Sequence, residues 1–334
     1  MPEKIDRNLS LELVRVTEAA AMAAARLMGR GDKNTADGAA VHAMRVALSS
    51  VGMDGTVVIG EGEKDEAPML FIGEKIGTGE PPKVDIAVDP IDGTRLLSLG
   101  LPNAISVVSL AEEGSLYSAP PGIFYMNKIA VGPAARGAID IDKPVEWNIK
   151  NVARAKRIEV EEVTVVILDR PRHEQIIRDV RDAGARIKLI TDGDVAGAIM
   201  TALEDTGVDI LMGIGGAPEA VLTACALKCI GGDMQCRLYP RNDDDRQKAL
   251  AAGADLDKVL TIDDLARGEN IFVSLTGITN GELVDGVKYY EHGVETHSLV
   301  MRSKSGTVRD VRARHRLDKL MTYSEIDFVA HIEP

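Results

Sequence analysis

The sequence Val84-Asp-Ile-Ala-Val-Asp89-Pro-Ile-Asp92-Gly-Thr94 combines a strand pattern with two carboxylates and a hydroxyl group near its end. Apolar, β-branched residues alternate from Val84 to Val88, and this pattern predicts a strand. Pro90 and Gly93 follow it, and both residues favour an exit from the sheet into a turn. Because proline fixes its own φ and has no N–H to donate, the loop between the two aspartates is expected to be short and stiff.

Two aspartates placed three residues apart at a strand end favour a metal site. Hard divalent cations such as Mg²⁺ take oxygen ligands at about 2.0–2.1 Å, and a rigid turn can present several oxygens together. Asp89 and Asp92 are therefore candidate ligands, and the Thr94 hydroxyl could orient a metal-bound water. Asp-Pro and Asp-Gly are also ordinary turn dipeptides, so this stretch alone leaves a purely structural turn open.

A second strand pattern also ends in carboxylates. Residues Gly55 to Gly60 read as a short buried strand, and Glu61-Gly-Glu63-Lys-Asp65-Glu66 follows it. A solvated acidic loop is the ordinary explanation of such a run. Since Glu61 follows its strand as Asp89 follows the other, two neighbouring strand ends could direct carboxylates to one point, which favours the metal site.

Composition and charge restrict the classes of function. A chain of 334 residues with 45% hydrophobic content can bury one large or two moderate cores. Its net charge of −13 argues against nucleic-acid binding. No apolar run reaches the roughly 18–20 residues of a membrane span, and no targeting segment is visible, so a cytoplasmic protein is expected. The three cysteines, Cys225, Cys229 and Cys236, are too few for a disulfide framework and are interpreted as core residues.

The first part of the chain predicts two helices over a sheet with antiparallel strands. A helical pattern from Leu9 to Met28 ends at a polar, glycine-containing loop, and a second helical pattern follows that loop. Asp37 falls near the start of the second helix, where capping of free N–H groups is its ordinary role. Charge rises around 143–157, and a domain junction is expected there, between a metal-binding half at 1–145 and a substrate-binding half at 146–334.

Strand and helix patterns alternate from residue 163 onward, which predicts a parallel or mixed sheet with helices packed on it. The strands end in polar or small residues, at Asp169 to His173, Asp192 to Asp194 and Gly213 to Glu219. Ligands of open α/β sheets collect at the carboxyl ends of strands, so a substrate crevice is expected there. Arg170 and Arg172 suit phosphate contacts, although a salt-bridged helix start explains them equally well.

Two motifs in this region suggest other functions. Gly213-Ile-Gly-Gly-Ala-Pro218 lacks the order of a dinucleotide-binding loop and better suits a tight strand-to-helix turn, with Glu219 in the first helical turn. Lys188-Leu-Ile-Thr-Asp192-Gly-Asp194 has the local pattern of haloacid-dehalogenase-type phosphatases, whose first aspartate attacks phosphorus. No convincing downstream lysine and acidic loop complete that second site.

Taken together, the motifs resemble those of a known family. Asp89-Pro-Ile-Asp-Gly-Thr94 is similar to the metal motif of the lithium-sensitive phosphatase superfamily. The longer motifs resemble the class II, GlpX-type fructose-1,6-bisphosphatases at Gly29 to Asp37, Val58 to Glu63, Asp65 to Leu70, Pro171 to His173, Asp192 to Asp194 and Gly213 to Glu219. The matches run in order from about Leu9 to Arg302, and so many motifs in register are highly specific.

The resemblance implies a fold, an activity and partners. The fold would be of the α/β (α+β) class, an α-β-α-β-α layered sandwich of the sugar phosphatase type with mixed sheets. The activity would be that of a cytoplasmic phosphoric monoester hydrolase of gluconeogenesis, which releases the 1-phosphate of fructose 1,6-bisphosphate to give fructose 6-phosphate. Two or three Mg²⁺ or Mn²⁺ ions would be the cofactors. The partner would be a small sugar bisphosphate, and a homodimer or homotetramer is expected.

The resemblance also implies the site residues. Metal ligands would be Asp37, Glu61, Asp89, Asp92 and Glu219, with the Ile91 carbonyl as an addition. Substrate contacts would be Asp92, Gly93, Thr94, Tyr125, Arg170, Pro171, Arg172, His173, Asp192, Gly193, Asp194 and Gly216. Thr94, held by Asp37 or a neighbouring carboxylate, would orient the attacking water. Glu61 belongs to the catalytic set as well, and Lys33 would compensate nearby negative charge. Many family members have glutamate where this chain has Asp92, which leaves metal preference open.

Two alternatives to this function stay open at the level of sequence. Sedoheptulose 1,7-bisphosphate differs from the fructose compound by one carbon unit away from the scissile bond, so a bifunctional enzyme fits the same motifs. A non-catalytic metal or phosphosugar sensor could keep the same pocket. Thr94 beside a full set of carboxylates argues against the sensor, because a binder has little need of a group that positions a nucleophile.

Overall fold

A computed structural model describes residues 9–62, 69–320 and Ile326. Its strands are β1 (Asp54–Ile59), β2 (Lys75–Ile76), β3 (Lys83–Asp92), β4 (Ile105–Glu112), β5 (Tyr125–Val131), β6 (Thr164–Leu168), β7 (Arg186–Ile190), β8 (Ile210–Gly216), β9 (Asp233–Tyr239), β10 (Leu260–Thr261), β11 (Phe272–Gly277), β12 (Lys288–Tyr289), β13 (Gly293–Arg302) and β14 (Thr307–Arg316). Its α-helices are α1 (Ser10–Ala25), α2 (Lys33–Ser49), α3 (Thr94–Ser98), α4 (Val145–Lys156), α5 (Glu174–Asp182), α6 (Asp194–Met200), α7 (Ala217–Ile230), α8 (Asp243–Ala251), α9 (Ile262–Leu265) and α10 (Leu317–Leu320). The motif at 63–68 lies outside the described residues.

The strands form two mixed sheets. The first has the order β12-β13-β11-β4-β3-β1-β2, and β14 pairs with β13 outside this order. Within it β3 lies between β1, which is parallel to it, and β4, which is antiparallel. The second sheet has the order β10-β9-β5-β8-β6-β7, in which β6 is parallel to both β7 and β8. Side chains that follow β1 and β3 therefore emerge from neighbouring strands.

Helices cover both sheets and separate them, which confirms the predicted five layers. Helices α1 and α2 pack on the outer face of the first sheet, where Leu13, Ala20 and Met44 are fully buried. Helices α6 and α7 lie in the core between the sheets. Helices α4 and α5 cover the far face of the second sheet with residues such as Val152 and Val180. Each large aliphatic side chain buried in this way stabilises the fold by about 1.5–3 kcal/mol.

Two local predictions about these elements are wrong. Pro90 does not end its strand: β3 continues to Asp92, and the pairing with β4 only becomes irregular between Asp89 and Asp92. Helix α2 begins at Lys33 rather than near Asp37, because the Asp32 side chain accepts a hydrogen bond from the backbone N–H of Thr35 and so caps an earlier start. The charged stretch at 143–157 contains the amphipathic helix α4, and the domain junction expected there stays a prediction.

The two sheets do not divide the chain at residue 145. Strand β5 precedes that position but lies in the second sheet, while β11 to β14 follow it and lie in the first. The boundary between 1–145 and 146–334 therefore stays a prediction about domains, and sheet membership crosses it in both directions. In the described part of the chain, we find no helix of the length and apolarity that crossing a membrane requires.

Candidate active site

The end of β3 brings Asp89 and Asp92 into the interior. The irregular pairing with β4 places both carboxylates near the same end of the sheet, and Gly93, at φ 95°, then starts α3. Asp89 accepts a hydrogen bond from the backbone N–H of Ile91 at 3.1 Å. Asp92 is only 4% exposed, and its Oδ2 accepts from the N–H of Ala196 in α6 at 3.2 Å. The Asp92 carboxylate is thus hydrogen-bonded to the helix layer between the sheets.

Thr94 is the first residue of α3 and is half-buried. Its hydroxyl donates to the carbonyl oxygen of Ile91 at 3.2 Å. The sequence analysis expected Asp37 or another carboxylate to hold this hydroxyl, and the structure gives it a backbone partner instead, because the first turn of α3 folds back over the end of β3. An oxygen that donates to a carbonyl keeps its lone pairs for a further donor such as water.

Three further predicted carboxylates approach this strand end from separate elements. Asp37 lies in the second turn of α2, and Glu61 lies two residues after the end of β1. Glu219 lies in the first turn of α7, against the backbone of Gly216, where an added Cβ would fall 1.8 Å from its Oε2. Only a residue without a Cβ fits at that position with Glu219 in its present place.

The electrostatics of these side chains link them into one group, which we call the acid cluster: Asp37, Glu61, Asp89, Asp92 and Glu219. Burial raises the pKa of Glu61 to about 7, and the neighbouring charges of Asp37 and Glu219 add to the shift. Burial, followed by repulsion from Asp92, raises the pKa of Asp89 well above its usual range. Burial and nearby carboxylates likewise raise the pKa of Asp92 and of Glu219. Packing like charges together is costly unless a cation compensates them.

The donor set of the acid cluster suits a divalent cation. All five side chains offer oxygen, the ligand that Mg²⁺ and Mn²⁺ prefer. Glu219 Oε2 is buried and has no hydrogen-bond partner among the described residues, which is the condition of an atom that awaits a ligand. No three His, Cys, Asp or Glu side chains of the described residues are already arranged around one ion position.

A cavity of about 840 Å³ opens beside the acid cluster. Asp92 and Glu219 reach its wall from the cluster. The remaining predicted substrate residues that line it are Tyr125, Arg170, Arg172, Asp192, Gly193, Asp194 and Gly216. Residues from both sheets thus face one space, as the strand-end argument predicted.

The two arginines stand on the side of the cavity formed by the second sheet. Arg172 donates through Nε and Nη2 to the carbonyl of Ile214, at 3.2 and 2.9 Å, and its guanidinium lies 5.1 Å from the centre of the Tyr125 ring. Arg170 donates to the carbonyl of Asp169 and lies 4.0 Å from Asp192. A guanidinium has five N–H donors, so both arginines retain donors for an anion.

His173 is buried and hydrogen-bonded to backbone groups on both ring nitrogens. The side chain is buried, its Nδ1 lies 2.7 Å from the carbonyl of Leu168, and its Nε2 accepts from the N–H of Ile214 at 2.7 Å. Burial lowers the pKa of this imidazole. Because both ring nitrogens are engaged with backbone, the neutral ring joins the start of α5 to β8 and does not reach the cavity, unlike the substrate contact expected from sequence.

The loop between β7 and α6 carries the two remaining aspartates. Gly193, at φ 79°, makes the tight turn into α6. Asp192 accepts weakly from the N–H of Arg95 in α3, at 3.4 Å. Asp194 is 6% exposed and forms an ion pair of 2.7 Å with Lys128. This loop therefore connects the end of β3 to the second sheet.

The cavity lining does not include Lys33 or Pro171, nor does it include Gly93, Thr94 or His173. Lys33 is exposed at the first position of α2, so it does not compensate the acid cluster through a close contact in this structure. Pro171 is exposed and starts the 3-10 helix Pro171–His173, where its fixed φ suits the first helical position. Pro171 thus fixes the backbone between Arg170 and Arg172 and does not itself line the cavity.

Lys128 and the segment 117–124 are parts of the site that the sequence analysis missed. Lys128 is 2% exposed in the middle of β5, and a lysine directly before the apolar run Ile129 to Val131 was the available signal. The segment 117–124 forms much of the cavity wall opposite the arginines, including the half-exposed ring of Phe124. Its sequence, Tyr117-Ser-Ala-Pro-Pro-Gly-Ile-Phe124, gives only a turn signal.

Comparison with known proteins gives a consistent result. The family described as bacterial fructose-1,6-bisphosphatase, glpX-encoded, matches residues 7–315. The chain is 46% identical to "Fructose-1,6-bisphosphatase 1 class 2" of Escherichia coli strain K12, over 94% of this chain and 96% of that protein. It has the same identity and coverage to proteins named "Fructose-1,6-bisphosphatase class 2" from Escherichia coli O6:H1 and Shigella flexneri.

Proposed function

Since this chain belongs to the family of bacterial glpX-encoded fructose-1,6-bisphosphatases, we propose that it removes the 1-phosphate of fructose 1,6-bisphosphate by hydrolysis. The products are fructose 6-phosphate and inorganic phosphate, so the protein is a phosphoric monoester hydrolase that serves gluconeogenesis. The family match over 7–315 and the 46% identity to class 2 enzymes support this assignment.

One observation carries the proposal beyond family membership. Asp92 and Glu219 of the acid cluster line a cavity that Arg170 and Arg172, after β6 of the second sheet, also line. A divalent cation at the carboxylates and guanidinium groups opposite them make two positive regions within one space. A substrate with two phosphate groups fits that charge pattern, while an inner surface of carboxylates alone would repel it. The volume of about 840 Å³ lies in the usual range for small-molecule sites.

The cofactors of the proposed reaction are divalent cations, Mg²⁺ or Mn²⁺, two or three in number. Asp37, Glu61, Asp89, Asp92 and Glu219 would hold them. When bound, such ions supply Lewis acidity toward the phosphoryl oxygens and toward the attacking water. The orphaned oxygen of Glu219 and the mutual repulsion of the carboxylates support this role.

Thr94 is the residue that orients the attacking water. Its hydroxyl is held by the Ile91 carbonyl at the end of β3, within the motif that supplies Asp89 and Asp92. A fixed hydroxyl can accept a hydrogen bond from a water molecule and so align the lone pair of that water with the phosphorus for in-line attack. This role also separates the enzyme from a phosphosugar sensor, which needs no such alignment.

Arg172, Arg170 and Tyr125 bind the substrate. Arg172 is anchored on both sides, by its hydrogen bonds to Ile214 and by the Tyr125 ring, so little side-chain entropy is lost when it meets a phosphate. Asp192, Asp194 and Gly216 border the space between the arginines and the acid cluster, where the sugar hydroxyls would lie. Carboxylates are suitable acceptors for those hydroxyls. We also propose that the protein assembles as a homodimer or homotetramer.

The proposal is tested by measuring phosphate release from fructose 1,6-bisphosphate, sedoheptulose 1,7-bisphosphate and inositol 1-phosphate. Each substrate is assayed with Mg²⁺, with Mn²⁺ and with a chelator. Metal-dependent release from the fructose compound alone would establish the narrow assignment, and comparable release from the seven-carbon compound would make the enzyme bifunctional. A folded, metal-bound protein that releases phosphate from none of them contradicts the catalytic proposal and favours the sensor.

A further inference from the structure

Lys128 is a buried cation for which packing gives no reason. Its side chain is 2% exposed at the centre of β5, which is paired on both edges, by β8 and by β9. Removing an ammonium group from water is energetically costly unless a well-placed partner compensates it. An apolar residue would fill a strand interior without that cost, so the contacts of this side chain must explain its presence.

The contacts of Lys128 join two parts of the cavity wall. Its Nζ lies 2.7 Å from Asp194 Oδ2, in an ion pair whose partners are 2% and 7% exposed. The same Nζ donates to the carbonyl of Gly216 at 3.3 Å. Asp194 opens α6, and Gly216 ends β8 directly before α7. One ammonium group thus holds the loop after β7 against the corner between β8 and α7.

The backbone beside this ion pair leaves room for it. A Cβ added at Gly215 would lie 1.9 Å from Asp194 Oδ2 and 2.6 Å from Cε of Lys128. Real Cβ atoms do not approach other heavy atoms so closely, so any residue other than glycine would displace the pair. The residue types at three separate positions, Lys128, Asp194 and Gly215, are therefore the ones that this buried ion pair requires.

The joined elements also carry residues of the acid cluster. The N–H of Ala196, two residues after Asp194, donates to Asp92 Oδ2. Glu219 lies three residues after Gly216, in the first turn of α7. A shift of Asp194 would move the start of α6, and a shift of Gly216 would move the start of α7. The cavity depends on the relative position of these two helix starts, because Asp194 and Gly216 both line it.

We propose that Lys128 is a positioning residue for the sugar-binding wall of the cavity. Its ammonium group fixes the loop from Asp192 to Asp194 and the corner at Gly216 relative to each other, and so sets the affinity for the sugar phosphate. It acts through Asp194 and does not itself touch the substrate. This inference rests on the proposed function, since it names the residue that shapes the substrate side of that site.

The test compares wild type with Lys128→Met, Asp194→Asn and the double variant. Lys128→Met is expected to raise KM for fructose 1,6-bisphosphate by roughly tenfold or more and to change kcat by less than about threefold, because the misplaced wall weakens binding more than chemistry. In the Asp194→Asn background the same change should add little, because the partner through which Lys128 acts is already gone. A KM equal to that of wild type in Lys128→Met, or effects of the two changes that multiply, would overturn the proposal.

Folding is controlled by the double variant, which removes both charges of the ion pair and so leaves neither of its two partners unpaired. It should melt within a few degrees of wild type and still show the raised KM; a wild-type KM in this variant would overturn the positioning role even if Lys128→Met does not fold. Calorimetric binding of fructose 6-phosphate to wild type and the double variant is measured in parallel. If wild type binds the compound but hydrolyses no bisphosphate, the proposed function fails while the binding comparison still decides the role of Lys128.

Discussion

The two sides of the cavity differ in whether their polar side chains have partners within the protein. On the side of the first sheet, the acid cluster packs carboxylates together, raises the pKa of several of them and leaves Glu219 Oε2 without a partner. On the side of the second sheet, Arg172 and His173 each have a close hydrogen-bond partner in the protein. The uncompensated negative charge on the first side indicates that a cation binds there. The hydrogen-bonded side chains on the second side indicate a wall whose geometry is already fixed without ligand.

This comparison predicts that removing charge from the acid cluster has opposite effects on activity and stability. Glu219→Gln should lower kcat by roughly a thousandfold, because a cation ligand is lost. The same change should stabilise the metal-free protein by about 1–2 kcal/mol, because burial and repulsion penalise the carboxylate. Phosphate release and melting in chelator measure the two effects, with the exposed Glu113→Gln as the matched control. A metal-free protein that melts at a lower temperature after the Glu219 change would contradict the contrast.

The hydroxyl of Thr94 provides the second test. Thr94→Ala should lower kcat by roughly a hundredfold with little change in KM, because the hydroxyl acts on the water in the transition state. Thr94→Ser keeps the oxygen and should retain most of the activity. Steady-state kinetics of the two variants decide the point. A wild-type kcat in Thr94→Ala would show that Thr94 does not orient the attacking water.

On the opposite side, Arg172→Ala should act on binding. We expect KM to rise roughly tenfold while kcat changes little, since the anchored guanidinium meets the phosphate in ground state and transition state alike. Arg178 is exposed on α5 in an ion pair with Glu174, and Arg178→Ala serves as the control with unchanged kinetics. A pure loss of kcat in the Arg172 variant would show that this side takes part in chemistry.

The smallest effect is expected at His173 and concerns stability. His173→Gln should cost about 1–2 kcal/mol near pH 7.5, because two buried hydrogen bonds to backbone are altered. Burial lowers the pKa of this histidine below its usual value near 6.5, so the unfolded chain binds the proton more readily. Wild-type stability from this group is present above that value and is lost as the pH falls below it. Denaturant unfolding between pH 5 and 8 should therefore show a shallower acid loss in the variant; an unchanged slope would contradict this role.

The sequence was sufficient for the features that depend on neighbouring residues. The alternation from Val84 to Val88 and the polar strand ends at Glu61 and Asp192 predicted strands that deliver side chains to one cavity. The five layers, implied by resemblance, are confirmed by the positions of the helices on both sheets. These signals are local, and a strand end or a helix face can be recognised within ten or so residues.

The features that sequence did not reveal depend on distant or competing contacts. Asp37 was expected to cap its helix, and only the hydrogen bond from Thr35 to Asp32 shows that the helix starts earlier. Pro90 reads as a strand end, yet an irregular pairing with β4 accommodates it within β3. The contact between Lys128 and Asp194 joins residues far apart in the chain, so no pattern around either predicts it.

The central claim is that the acid cluster binds divalent cations and thereby drives hydrolysis of fructose 1,6-bisphosphate. The most direct test is phosphate release by the wild-type protein after dialysis against a chelator, before and after Mg²⁺ or Mn²⁺ is added back, with Glu219→Gln alongside. The account predicts no release without metal, full recovery in wild type and little recovery in the variant. Equal release with and without metal, or full recovery in the variant, would contradict it.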